Sequence, residues 1–214
     1  MNTRFKSYLV AELTLIFLVL PAVISVLKPR GAIYYFLWIC TLLCLRWLQK
    51  DKDYRFARDW NYAALTRDNL KKLLLRFLVL FPLLIVFTAF MLPDRLFSFP
   101  RERPQMWLMV MIFYPLLSVV PQEIIFRSFF FRRYQSILQG NNIYFISAFA
   151  FGWVHIILQN WIAVLLSSVG GYMFARTYGQ KNSLLLACLE HALYGCCIFT
   201  IGLGFYFYHG TAVR

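Results

Sequence analysis

The amino-acid sequence predicts an all-α protein, a polytopic bundle of about seven transmembrane helices. Of its 214 residues 61% are hydrophobic, and the mean hydropathy of +0.62 implies more apolar surface than a soluble core of this length can bury. The apolar residues also fall into runs close to the length that a bilayer requires. Basic residues sit at the ends of these runs, so the net charge of +13 indicates membrane anchoring. Membrane lipid is therefore the expected partner, and nucleic acid is not.

The expected spans are read in order from the apolar runs: 8–27, 31–48, 73–92, 105–127, 143–159, 161–176 and 183–207. The first run ends at Lys28-Pro29-Arg30 instead of a small-residue cleavage site, which favours a retained first helix or signal anchor. Pro115 and Pro121 interrupt the fourth run, so a kink or a break is predicted there. Thr66 or Asp68 is expected to cap the third helix.

The distribution of basic residues predicts that the N-terminus is cytoplasmic and the C-terminus lies outside. The segment 49–72 is strongly basic and is expected to be cytoplasmic. The basic residues that this topology places inside are Arg4, Lys6, Lys50, Lys52, Arg55, Arg58, Arg67, Lys71, Lys72, Arg132, Arg133, Arg176 and Lys181. Those that it places outside are Lys28, Arg30, Arg95, Arg101, Arg103 and Arg214.

Two other patterns have structural interpretations. Small residues recur every fourth position at Ser167, Gly171 and Ala175, which predicts close approach of another helix. The five cysteines lie within apolar runs and indicate packing instead of disulfides or a zinc motif.

Three polar residues lie deep within the apolar runs and are candidates for a site: Glu123, His155 and His191. A polar or ionisable group in a membrane span is costly and usually faces a protein interior or a wet cavity. At about 1.5 Å of rise per residue, each lies roughly 12 to 18 Å from the same end of its span. A carboxylate and two imidazoles at one level can activate water. The alternative is that they are hydrogen-bonding contacts between helices.

The neighbours of these residues carry further chemistry. Glu123 and Arg127 are four residues apart on one helix, in the order that favours an ion pair. Gln122 points about 100° away and is free to face a site. Glu190 precedes His191 and offers a second carboxylate, whereas Glu12 is expected to be satisfied or interfacial.

These residues fall into three motifs. The segment 122–127 reads QEIIFR and resembles the EExxxR motif of the CAAX-protease and bacteriocin-processing (CPBP, or Abi) family of intramembrane endopeptidases. The segment 151–155 reads FGWVH and matches that family's FxxxH motif. The segment 191–195 reads HALYG and resembles its HxxxN motif. The motifs occur in the family's order, in consecutive spans.

The resemblance implies a protease core over 105–207, preceded by N-terminal helices and a basic cytoplasmic loop over 1–104. It implies cleavage of a membrane-associated or lipid-modified peptide near its terminus, at a site open to the cytosol of a bacterial inner membrane. The first Glu and His155 would activate water, and His191 with the Asn would stabilise the oxyanion. Glu190, Phe151 and Gly195 are expected to support the site. Zinc on Glu123, His155 and His191 remains an open alternative.

The chain departs from the family pattern at two positions: Gln122 replaces the first Glu and Gly195 replaces the Asn. Gln cannot act as a base. Either Glu123 takes that role, or the geometry differs in a Gln-Glu branch, or the chain is a catalytically inactive relative. A non-catalytic membrane protein that binds a peptide is therefore the alternative function, and a transporter is a weaker third.

Overall fold

The computed structural model describes residues 3–27 and 33–207, and within these ranges the chain is helical, without strands. The longer helices are α1 (Thr3–Leu27), α2 (Ile33–Lys50), α4 (Arg67–Met91), α6 (Pro104–Tyr134), α7 (Asn142–Val154), α8 (Trp161–Lys181) and α9 (Leu184–Ile201). Two short helices, α3 (Phe56–Trp60) and α5 (Ser98–Glu102), lie in the connections. The prediction of an all-helical membrane bundle is confirmed.

Four of the described helices, α1, α4, α6 and α9, are long and apolar enough to cross a membrane, and Asn142–Leu158 forms a shorter apolar helix. Only 11% of the most apolar stretch of α4 is buried inside the protein, whereas 61% of α9 is. The remaining apolar surface of α4 must be solvated by lipid, and α9 is a central helix. A helix corresponds to each predicted run, while the number of spans and their orientation remain predictions.

Pro115 and Pro121 do not break α6. The helix continues through two wider π-helical segments, Pro115–Val119 and Ile124–Phe129. Proline removes a backbone donor and crowds the carbonyl four residues earlier, which for Pro121 is that of Leu117. The Leu117 carbonyl instead accepts a hydrogen bond from the Trp38 indole at 3.1 Å. Such π-helical segments occur often at functional sites, and these two flank Gln122 and Glu123.

The small-residue stripe of α8 faces α7, as its spacing predicted. Ser167, Gly171 and Ala175 are all buried. A Cβ atom added at Gly171 would lie 2.9 Å from the Phe151 ring and 3.3 Å from the backbone of Ala148. The glycine therefore permits the close contact that brings α8 beside the FxxxH motif.

Three of the basic segments meet at one end of the bundle. Arg132 binds both carboxylate oxygens of Asp51, at 2.7 and 3.0 Å, and lowers the pKa of that carboxyl. The Asn61 amide donates to the carbonyl of Lys181 at 3.2 Å. The segments around residues 55, 132 and 181 therefore lie on the same side, as the topology requires. Lys28, Arg30 and Arg214, which the topology places opposite, lie outside the described residues.

Asp59 attaches the basic loop to the helices. Its carboxylate accepts hydrogen bonds from the hydroxyls of Tyr54, Ser128 and Tyr178. Burial, followed by the charge of Asp59, raises the pKa of the Tyr54 phenol. Thr66 caps α4 as expected, because its hydroxyl accepts from the backbone N–H of Asn69 at 3.2 Å.

Candidate functional site

Glu123 is fully buried on the inner face of α6, between the two π-helical segments. Its Oε2 lies 3.1 Å from Nε of Arg127, one helical turn later, and Arg127 is also fully buried. Its Oε1 accepts a hydrogen bond from Nδ1 of His191 on α9 at 2.9 Å. Each carboxylate oxygen therefore has a positively charged or donating partner, which offsets part of the cost of burying the charge.

Arg127 joins three helices around this carboxylate. Its Nη1 donates to the hydroxyl of Ser147 on α7 at 2.7 Å, and its Nη2 donates to the carbonyl of Gly171 on α8 at 3.2 Å. The favourable spacing of Glu123 and Arg127 predicted their ion pair, and the pair is present. Ser147 was not predicted, because nothing in the sequence distinguishes it from other serines in apolar runs.

His191 is held on both sides of its ring. The ring of Phe174 stacks on it at 4.6 Å between centroids, and the edge of the Phe151 ring meets it at 5.3 Å. Because a carboxylate can only accept, the bond to Glu123 fixes a proton on Nδ1. The other nitrogen, Nε2, lies 3.2 Å from the hydroxyl of Tyr114.

His155 lies where α7 ends and a 3₁₀ turn, His155–Leu158, begins. Its Nδ1 donates to the carbonyl of Phe151 at 2.7 Å, which fixes the proton on Nδ1 and leaves Nε2 with its lone pair when the ring is neutral. The rings of His155 and Phe151 are 5.0 Å apart. Phe151 thus contacts both histidines, which gives the first residue of FxxxH a structural role.

A cavity of about 1130 Å³ lies between α1, α2 and the later helices. Its lining is mostly apolar, and its polar members near the motifs include Tyr114, Ser118, Gln122, His155, Ser167, His191 and Tyr194. Gln122 donates from Nε2 to the hydroxyl of Ser118 at 2.7 Å, which leaves its amide oxygen free to accept. Glu123 does not line the cavity. The expected convergence therefore holds for the two histidines, while the carboxylate lies behind His191.

Gly195 adjoins Tyr114, which sequence reasoning missed. A Cβ atom at position 195 would overlap the Tyr114 ring and its hydroxyl oxygen. Two features of the sequence could have indicated this contact: Tyr114 is a polar aromatic residue beside Pro115 in an apolar run, and position 195 lacks the Asn of the HxxxN motif.

The two other candidate carboxylates lie in separate ion pairs. Glu190 is fully buried, 3.1 Å from Nη1 of Arg76, and accepts from the Thr177 hydroxyl. Although adjacent to His191 in sequence, it does not line the cavity. Glu12 binds Arg133 through both oxygens, at 2.7 and 2.6 Å, and accepts from Tyr134. It is satisfied, as expected.

The arrangement does not fit the zinc set. Within 3–27 and 33–207, no three His, Cys, Asp or Glu side chains are grouped so that they could hold a metal ion. Both oxygens of Glu123 are directed to Arg127 and His191 instead of toward His155.

A helical bundle with two cavity-lining histidines, one of them backed by a buried carboxylate, defines an integral membrane protein with a polar site at membrane depth. Residues 104–197 match the family described as type II CAAX prenyl endopeptidase Rce1-like. This match confirms the resemblance over that segment: residues 104–197 are similar to CAAX-type prenyl endopeptidases. No curated protein and no solved structure matched the chain.

Proposed function

We propose that this protein hydrolyses a membrane-associated or lipid-modified peptide near its terminus, with His155 as the base and His191 on the oxyanion side. One observation carries the proposal: two histidines with different hydrogen-bond partners line one cavity. His155 is held by a carbonyl and His191 by a carboxylate. Two imidazoles in different environments are suited to different roles, one accepting a proton and the other stabilising negative charge.

His155 activates the water. Its Nε2 accepts a proton from water while the water oxygen bonds to the scissile carbonyl carbon. The amide oxygen of Gln122 accepts the second water hydrogen and orients the molecule. His155 then returns its proton to the leaving nitrogen as the carbon–nitrogen bond breaks. One water is consumed, and the imidazole is regenerated.

His191 stabilises the developing negative charge on the carbonyl oxygen. The Glu123 carboxylate at Nδ1 stabilises a positive imidazole ring, and Nε2 is directed toward the cavity side occupied by Tyr114. Glu123 therefore acts through His191 and does not contact water. This assignment makes the reaction neither metal-dependent nor dependent on glutamate as the direct base.

The cavity supports a substrate with an apolar attachment. Its volume of about 1130 Å³ falls just above the usual range for small-molecule sites, and its apolar walls suit a lipid chain more than a polar peptide. We place the protein in a bacterial inner membrane with the site open to the cytosol, on the basis of the family resemblance and the basic segments.

The test is cleavage of a fluorogenic, prenylated CAAX-type peptide by purified protein in lipid nanodiscs. His155→Gln and His191→Gln should each lower kcat by about 100-fold or more. Trp153→Phe is the matched control, because it removes a hydrogen bond from α7 to the Leu18 carbonyl and neither residue lines the cavity. Equal cleavage by wild type and both histidine variants would refute the assignment.

A second candidate function is favoured by the side chain that faces the cavity at position 122. An amide there cannot act as a base, and if the reaction requires a carboxylate at this position, the same cavity would bind a peptide without cutting it. In that case the wild type binds the prenylated peptide but releases no product. Peptide binding measured by fluorescence anisotropy, in parallel with cleavage, separates the two functions.

A further inference from the structure

Tyr114 occupies the space beside Gly195 that a side chain at that position would need. The ring comes from α6 and the glycine from α9, and a Cβ atom on the glycine would overlap both the ring and its oxygen. The edge of the Phe199 ring meets the Tyr114 ring at 5.2 Å, which holds it in place. Position 195 is therefore small because a side chain from another helix fills the space.

The Tyr114 hydroxyl is placed for chemistry as well as packing. It lies 3.2 Å from Nε2 of His191, and both residues line the cavity. The order of contacts runs from the Glu123 carboxylate through His191 to Tyr114. When His191 carries a proton on Nε2, that N–H donates to the phenol oxygen, and the phenol proton is free to point into the cavity.

We propose that Tyr114 is a catalytic residue whose hydroxyl donates a hydrogen bond to the oxyanion, in place of the donor that an Asn at position 195 would supply. The inference rests on the proposed function and adds one residue to it. As water bonds to the carbonyl carbon, the carbonyl oxygen gains negative charge and accepts the phenol hydrogen bond. No proton is transferred from Tyr114, and the bond is released when the tetrahedral intermediate collapses.

Tyrosine at this place explains why the missing Asn need not abolish activity. A phenol is a sufficient oxyanion donor when it is fixed before the reaction begins. Three contacts fix the Tyr114 phenol: the His191 nitrogen, the Phe199 ring and the backbone at Gly195.

The experiment compares kcat and KM for the prenylated peptide in wild type, Tyr114→Phe and Tyr178→Phe. The first variant keeps the ring and should lower kcat by about 100-fold with little change in KM, because the bond forms only as charge develops. Tyr178→Phe is the matched control, since it removes a hydroxyl bonded to Asp59 outside the cavity.

A rescue variant separates chemistry from packing. Tyr114→Ala should be as slow as Tyr114→Phe, and adding Gly195→Asn to it should recover at least about tenfold in kcat, because the Asn donor enters the vacated space. Gly195→Asn alone should lose activity, because the overlap with Tyr114 remains. Wild-type kcat in Tyr114→Phe would overturn the inference and leave the proposed function intact, whereas no cleavage by the wild type would overturn both.

Discussion

The Nδ1 atom of His191 donates a hydrogen bond to Oε1 of Glu123 at 2.9 Å, across 68 positions of sequence. Both side chains are buried, and the carboxylate's other oxygen faces Arg127. Of the two carboxylates in the motif region, Glu123 contacts a histidine, whereas Glu190 contacts Arg76 and Thr177. The relationship supports the proposed orienting role of Glu123, whereas its sequence position also allowed a role as the direct base.

Replacement of Glu123 by Gln should reduce both stability and activity. The change leaves Arg127 buried without its counter-charge, which typically costs about 3 to 5 kcal/mol in free energy of unfolding. It also removes the charge that supports His191. Glu190→Gln is the matched control, because its partner Arg76 is 40% exposed and can be solvated. Thermal unfolding in detergent and kcat per folded molecule are measured together, and full activity of Glu123→Gln at normal abundance would contradict the orienting role.

Replacement of Gln122 by Glu should raise the rate of cleavage. It places a carboxylate in the cavity that His155 also lines, where the proposed mechanism gives the water a second proton acceptor. General-base catalysis contributes about 10² to 10⁴ in rate, and because His155 already supplies part of this we expect a gain of at least about tenfold. The measurement is kcat from wild type and variant side by side. A slower variant would mean that the Gln122 amide itself is needed. Cleavage by the variant alone would support the non-catalytic relative.

Tags inserted near residues 55 and 180 should both report the cytoplasm, and a tag near residue 95 should report the far side. The basic segments around 55 and 181 are joined by the hydrogen bond from Asn61 to Lys181 and must share a side. Their charge predicts which side that is. Protease protection in sealed vesicles of both orientations provides the measurement and its control. An N-terminus found outside would overturn the orientation.

Replacement of Gly171 by Ala should destabilise the contact between α7 and α8. The new Cβ atom would lie 2.9 Å from the Phe151 ring, and overpacking of this kind typically costs about 1 to 3 kcal/mol. Because Phe151 contacts both histidines, kcat should fall as well. Leu165→Ala, on the same helix and 64% exposed, is the control expected to preserve kcat. An unchanged free energy of unfolding in Gly171→Ala would contradict this prediction and show that α8 can shift to accommodate the methyl group.

Much of the architecture was predictable because lipid imposes a simple rule on sequence. A chain in a bilayer must satisfy its backbone internally, so long apolar runs become helices, and helices occur at each predicted run. The Glu123–Arg127 pair follows from local helical spacing, and the close approach at Gly171 follows from the small-residue stripe. The outcome at the prolines was not local: α6 widens instead of breaking, and the Leu117 carbonyl accepts a hydrogen bond from the Trp38 indole of another helix.

The sequence by itself singled out the candidate side chains of the site: Gln122, Glu123, His155 and His191, in three motifs. Only the tertiary structure decided their contacts, because these form between helices that are distant in the chain. It turned Glu123 away from the cavity and toward His191, separated Glu190 into an ion pair with Arg76, and placed Tyr114 against Gly195. Spacing along one helix reveals which face a residue occupies, but the residue that meets that face comes from another helix, and packing alone selects it.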